Sequence, residues 1–261
     1  AEQAWKAGIT VVVSAGNAGQ ASAGLADPAF DPTLLAVGAV DTNGSVNISK
    51  HTVAAFSDYG SAHRGPDLVA PGVHIASLNV PGSYIDEKFG TAGVLGTTNR
   101  FLRGSGTSEA AAVTTGAAAL LLQQHPTATP DQIKNLLVSS ANGLDNVSAS
   151  SQGGGELSLR DANEAQLTHK KQRFEPSTGT GSLELSRGTH HLTTGGVILA
   201  GERDIFGAAF NSAAIAAAEA AHTAWTGGVF NGNSWSGNSW SGNSWSGNSW
   251  SGNSWSGNSW S

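Results

Sequence analysis

The sequence predicts an α/β fold built on a mostly parallel sheet. Three observations carry that prediction. Residues 1–7 read as the last turns of a helix, Gly8 ends it, and Ile9 to Val13 is a continuous β-branched run. Helix, glycine and buried strand together make one half of a βαβ unit. A second apolar run follows at Leu34–Val40, and Asp67-Leu68-Val69-Ala70-Pro71-Gly72 reads as a short strand closed by a Pro-Gly turn. Finally, Glu109 to Gln124 is helical in pattern but apolar all round, as expected of a central helix buried on every face.

In chain order, Ile9–Val13 is expected to be buried on both faces and to run into Ser14-Ala15-Gly16-Asn17-Ala18-Gly19. Small residues there admit a second backbone, and parallel sheets bind ligands at the carboxyl ends of their strands. Asn17 offers a side-chain N–H at that end, or is simply a turn residue tolerating a left-handed conformation. Asp27-Pro28-Ala29-Phe30-Asp31-Pro32 is a proline-punctuated loop, and Asp41-Thr42-Asn43-Gly44 stops the second strand. Residues 45–66 are polar and loop-rich. Residues 73–102 read as a strand and a long glycine-rich loop. Gly116 inside the apolar helix costs about 0.5–1 kcal/mol against Ala, which close packing of another backbone would explain. Pro126 ends that helix, and Thr129-Pro130-Asp131-Gln132 starts an amphipathic one that buries Ile133, Leu136 and Leu137.

Composition bounds the function. Net charge is −6, which gives no broad electrostatic footprint for nucleic acid, and Lys170-Lys171-Arg173 is a short cluster read as a solvated loop. Cysteine is absent, so there is neither disulfide nor thiolate metal site. No apolar run is long enough to span a bilayer, and no signal peptide is visible at residue 1. Methionine is also absent, so Ala1 is expected to follow a processing or truncation point.

Gly106-Thr107-Ser108-Glu109-Ala110-Ala111-Ala112 is the stretch where chemistry is expected. A glycine turn delivers Ser108 to a helix start, where free N–H groups and the dipole favour an oxyanion. A serine N-cap on a buried helix accounts for the same heptapeptide.

These pieces resemble the C-terminal half of a subtilisin-like serine protease domain. The likeness rests on Val11-Val12-Val13-Ser14-Ala15-Gly16-Asn17, Ala36-Val37-Gly38-Ala39-Val40, Phe56-Ser57, Val69-Ala70-Pro71-Gly72 and Gly106-Thr107-Ser108-Glu109-Ala110-Ala111. Gly116-Ala117-Ala118-Ala119-Leu120-Leu121 and Gly155-Glu156-Leu157 follow in order. The resemblance covers residues 1–165 and implies a three-layer α/β domain without roughly its first half. It implies that Ser108 is the nucleophile, that Asn17 and the Ser108 N–H receive the oxyanion, and that Ser14, Ala15 and Gly16 line the primary specificity pocket. It also suggests a cis bond at Asp27-Pro28. Structural calcium is compatible with it, but no ligands are assigned and no other cofactor is expected.

Departures from the family pattern matter as much. In that family the triad runs Asp, His, Ser along the chain, yet only sixteen residues precede Asn17 and none is His. Asp41-Thr42 stands in the wrong place for the Asp motif. None of the eight histidines (51, 63, 74, 125, 169, 190, 191, 222) lies in a His-Gly-Thr context. Ala112 and Val113 replace the usual Pro and His. Glu109, directly after the serine, is either a first-turn residue stabilised by the dipole or a charge working against the oxyanion.

Residues 166–204 form a connecting segment, with Ser182–Leu185 and Val197–Leu199 as candidate strands and His190-His191 as exposed loop histidines. From 205 a period of five runs to the end, with Trp at 235, 240, 245, 250, 255 and 260 in Asn-Ser-Trp-Ser-Gly units. The Ala-rich stretch 207–224 is either a degenerate copy of that repeat or an alanine helix. The tail is β-helix-like or disordered, and its tryptophans are suited to stacking on sugar rings or meeting a cell surface. The functional expectation is an extracellular or cell-surface serine endopeptidase acting on polypeptides, present as a fragment lacking its triad Asp and His. The alternative is a non-catalytic binding protein that uses the repeat on a protease-derived scaffold.

Overall fold

The computed structural model describes residues 1–19, 24–61, 64–95, 100–187, 191, 193–194, 196–204, 207–221, 223, 229–230 and 233–234. The chain divides into two compact units. Ala1–Asn79 and Gly90–Pro176 form the first; Val80–Phe89 and the residues from Ser177 onward form the second.

The first unit is a mixed α/β structure with parallel strands. After a short helix α1 (Glu2–Lys6) come β1 (Val12–Ser14), β2 (Leu35–Asp41), β3 (Thr52–Val53) and β4 (Leu68–Pro71). β2 is the hub. It pairs in parallel with β1 through Val12↔Leu35 to Ser14↔Val37, and with β4 through Val37↔Leu68 to Val40↔Pro71. β3 adds antiparallel at its end through Val40↔Val53. Every β2 residue from Leu35 to Val40 is buried, which explains its unbroken apolar sequence.

A second, antiparallel sheet joins β5 (Ile75–Leu78), β6 (Val94–Leu95) and β7 (Phe101–Gly104) in the order β5-β7-β6, and α2 (Tyr84–Gly93) precedes β6. Over 73–102 the expected strand is β5, while the expected glycine-rich loop is occupied, among the described residues, by α2, β6 and the start of β7. Its glycines disguised the helix, whose acidic first turn, Asp86 and Glu87, favours the N-terminus.

Helix α3 (Thr107–Gln124) lies on β1, β2 and β4. Thr107, Ala110, Thr114, Ala117, Ala118 and Leu121 form its buried stripe, and the alanines let it approach Leu35, Val37 and Leu68 closely. The expectation of burial on every face is corrected: Leu120 is 52% exposed, and Ala112, Gly116 and Ala119 are exposed with it. Among the described residues the sheet and the following helix cover one side only, and composition alone does not reveal which side is covered. Among the described residues nothing lies within 4 Å of a Cβ added at Gly116, so none of them brings a second backbone there. β1 departs in the same sense, being half-buried and only three residues long, with Ile9 58% exposed.

Helix α4 (Pro130–Ser139) begins where Thr129 predicts. Thr129 and Gln132 form a reciprocal capping box, and Ile133, Leu136 and Leu137 are buried. Its Lys134 is buried too, donating to the carbonyls of Pro32 at 2.7 Å and Leu34 at 2.8 Å. Asp67 completes this knot. It lies 3.2 Å from Lys134, takes two bonds of 2.9 Å from Arg64, and accepts the Ala36 N–H at 2.7 Å. Burial pushes the Lys134 pKa down, against the pull of Asp67. Short helices α5 (Ala149–Gln152) and α6 (Leu159–Glu164) follow. Gln172 then ties the succeeding strap down, through its N–H to Asp131 at 3.0 Å and its side chain to the Thr33 carbonyl at 3.0 Å.

In the second unit, α7 (Leu183–Arg187) replaces the strand expected at Ser182–Leu185. Leu, Glu and Arg are good helix formers, Glu202 accepts the N–H groups of Leu183 and Glu184, and Ser182 accepts that of Leu185. β8 (Thr193–Thr194) pairs with β9 (Val197–Ile198). His191, expected to be an exposed loop residue, is half-buried and bonds Glu184 at 2.8 Å. α8 (Ser212–Ala220) gives the alanine-helix reading over those residues. β10 (Val229–Phe230) and β11 (Asn233–Ser234) form a small antiparallel pair. The six repeat tryptophans from Trp235 onward lie outside the described residues. No described helix is long and apolar enough to cross a membrane.

Candidate active site

The carboxyl end of β1 and the start of α3 meet at one point. β1 delivers Ser14, Ala15 and Gly16, with the Ala15 N–H held by the Val37 carbonyl at 2.9 Å. On the other side, the Gly106 N–H bonds the Gly72 carbonyl at 2.8 Å and turns the chain into α3.

Thr107 joins the two. Its hydroxyl accepts the Gly16 N–H at 3.2 Å and donates to Asn17 Oδ1 at 2.9 Å. Its backbone N–H donates to the same Oδ1 at 2.9 Å. With its oxygen doubly held, the Asn17 carboxamide has one group left, the exposed Nδ2. A Cβ added to Gly106 would lie 3.6 Å from that Nδ2 and 3.7 Å from the Ser108 nitrogen, so both donors border the same small space.

Ser108 is the second residue of α3, exposed, and not the N-cap; Gly106 holds that place and has no side chain to cap with. The capping explanation of the heptapeptide is therefore set aside. Asn17 is not among the residues with left-handed backbone either, so the turn explanation also falls. Gly16 carries the strained conformation instead, at φ +116°, where any side chain would run into Asp58 and Ala26. The Asp27–Pro28 bond is cis.

Asp58 carries no role in the sequence motifs above. It is 3% exposed and accepts the N–H groups of Ala18 at 2.6 Å and Gly19 at 2.9 Å, while its own N–H donates to the Gly16 carbonyl at 3.0 Å. It thus holds the loop around Asn17 from beneath. An Asp beside the Phe56-Ser57 motif was the available signal.

His51 is paired with a carboxylate, yet it serves elsewhere. Its Nδ1 lies 2.7 Å from Glu156 and its Nε2 2.9 Å from the Ser45 carbonyl, and both side chains are 8% exposed. Burial works to lower its pKa, but Glu156, the Ser45 carbonyl and Asp41 outweigh it and raise it. With both ring nitrogens engaged, this imidazole is not free to take a proton from Ser108. A cavity of about 380 Å³ beside Trp5, Asp131 and Phe174 shares no residue with the Ser108 site. Among the described residues no group of His, Cys, Asp and Glu is arranged to hold a metal ion.

Known proteins resemble part of this chain. Serine protease AprX of Bacillus subtilis is 44% identical over 147 residues, which is 55% of this chain and 32% of that protein. Subtilisin amylosacchariticus of Bacillus subtilis subsp. amylosacchariticus is 37% identical over 147 residues, covering 56% and 32%. The chain therefore spans about a third of the length of the curated relatives it matches. Among solved structures, fervidolysin from Fervidobacterium pennivorans, a keratinolytic enzyme related to subtilisin, superposes with a TM-score of 0.50 at 28% identity, covering 69% of this chain and 25% of its own. The model of the subtilase family matches residues 1–155. With the family match spanning the sheet, Asn17 and Ser108 together, this chain belongs to the subtilase family.

Proposed function

We propose that the first unit carries the nucleophile and oxyanion site of a serine endopeptidase. Ser108 Oγ attacks the carbonyl carbon of a peptide bond, and the oxyanion accepts hydrogen bonds from Asn17 Nδ2 and the Ser108 N–H. The amine leaves, and water hydrolyses the acyl-enzyme. Ser14, Ala15 and Gly16 wall the pocket for the substrate side chain before the cleaved bond. The single observation behind this reading is the pair of bonds from Thr107 to Asn17 Oδ1, which turns Nδ2 outward beside the Ser108 nitrogen.

A serine hydroxyl needs a base. No residue of this sequence is assigned as the triad Asp or His, and His51 is committed to Glu156 and Ser45. The three-layer architecture of the whole domain, extracellular action on polypeptides and attachment through the tryptophan repeat belong to the same proposal. The second reading, a non-catalytic binding protein on this scaffold, draws on the engagement of both His51 ring nitrogens by Glu156 and Ser45.

A fluorophosphonate probe separates the two. Applied to the protein at the full length its gene encodes, it labels the wild type and not Ser108→Ala if the protease reading holds. Absence of labelling, together with absence of peptide hydrolysis, supports the binding reading.

A further inference from the structure

Glu109 lies directly after Ser108, in the first turn of α3. Its Oε1 is 2.8 Å from where a Cβ on Gly104 would be, and its Oε2 is 2.7 Å from where one on Gly106 would be. Gly106 has an extended backbone, φ 167°, that any residue adopts. What glycine provides at 106 is therefore space, and the Glu109 carboxylate fills it. The point that Oε2 approaches is the same one bordered by Asn17 Nδ2 and the Ser108 nitrogen. Glu109 is half-buried and, among the described residues, has no hydrogen-bond or ion-pair partner.

A partly desolvated carboxylate without a partner, set beside a pair of oxyanion donors, has a definite electrostatic sense. Alone, it opposes the developing negative charge. A cationic side chain seated on it removes that opposition and gains an ion pair in the same step.

Building on the protease reading, we infer that Glu109 is a specificity-determining residue that selects peptides carrying Lys or Arg on one of the two residues flanking the cleaved bond. Selection arises because a neutral substrate leaves the carboxylate facing the oxyanion, whereas a basic one neutralises it. Discrimination then appears in kcat/KM and weakens with salt.

The test uses the protein at its full encoded length and peptides that differ only at those two residues, with Lys or Arg, their neutral near-isosteres norleucine or citrulline, or Glu. The expected result is a preference of about tenfold or more for the basic peptide at one of the two positions. Raising the salt shrinks it, Glu109→Gln abolishes it, and Glu109→Lys turns it toward Glu. Wild-type indifference to charge, or a preference that survives in Glu109→Gln, overturns the inference. Fluorophosphonate labelling of Ser108 tells the failures apart: a labelled enzyme without the preference sinks only the role of Glu109. An unlabelled protein that cleaves no peptide removes the protease reading and this inference with it.

Discussion

Thr107 donates two hydrogen bonds to one oxygen of Asn17, from its backbone N–H and from its hydroxyl, both at 2.9 Å. The hydroxyl also receives the Gly16 N–H, and the residue is fully buried. Thr107→Val keeps the shape and removes the hydroxyl, leaving the Gly16 N–H unpaired. The expected loss is about 1–3 kcal/mol of stability by denaturant unfolding. Thr107→Ser retains the bonds and loses less. If valine is tolerated as well as serine, the hydroxyl does not tie β1 to α3.

Asp58 holds two adjacent N–H groups, those of Ala18 and Gly19. Asp58→Ala leaves both without that acceptor, and a loss of about 2–3 kcal/mol is expected. Amide hydrogen exchange localises the effect: residues 16–19 are expected to lose protection before the α3 core does. Uniform loss across the first unit would instead mean that Asp58 supports the whole fold.

His51 makes stability fall with rising pH. Its pKa in the fold is raised above the ordinary 6.5, so the proton it holds stabilises the native state. That contribution is complete below about 6.5 and is lost as pH climbs through the raised folded value. Unfolding midpoints of the wild type should therefore decline across that window, and those of His51→Asn should not follow. An NMR titration placing the imidazole below the ordinary value would contradict the pairing with Glu156.

Gly116 sits in the middle of α3, and among the described residues nothing fills the place where a side chain would go. Gly116→Ala is expected to raise stability by about 0.5–1 kcal/mol, since it improves helix propensity without a clash. A destabilising alanine would show that something does pack on this face.

Much of the first unit was legible because local rules and burial agreed. β2 announces itself as an apolar run, and α4 does so through the Thr129–Gln132 capping box and the Ile133, Leu136, Leu137 stripe. Ser108 and Asn17 stood out by the motifs around them, and the fold places the amide nitrogen of one near the backbone nitrogen of the other. What stayed hidden depends on distant partners. Lys134 resembles a surface lysine until Asp67 and the carbonyls of Pro32 and Leu34 close on it. Alternation at Ser182–Leu185 suggested a strand, but Glu202 supplies a helix cap from twenty residues away. The faces of α3 were equally apolar, so only the sheet decides which is buried.

The backbone N–H of Thr107, which can only donate, fixes which end of the Asn17 carboxamide points outward. Conversion of that amide to a carboxylate by deamidation would leave the acceptor for Thr107 in place and keep the loop folded. It would also replace the outward donor with an acceptor, reversing the polarity of the space beside Ser108. Under the proposed reading, a chemical change at one atom would therefore remove an oxyanion donor from beside Ser108.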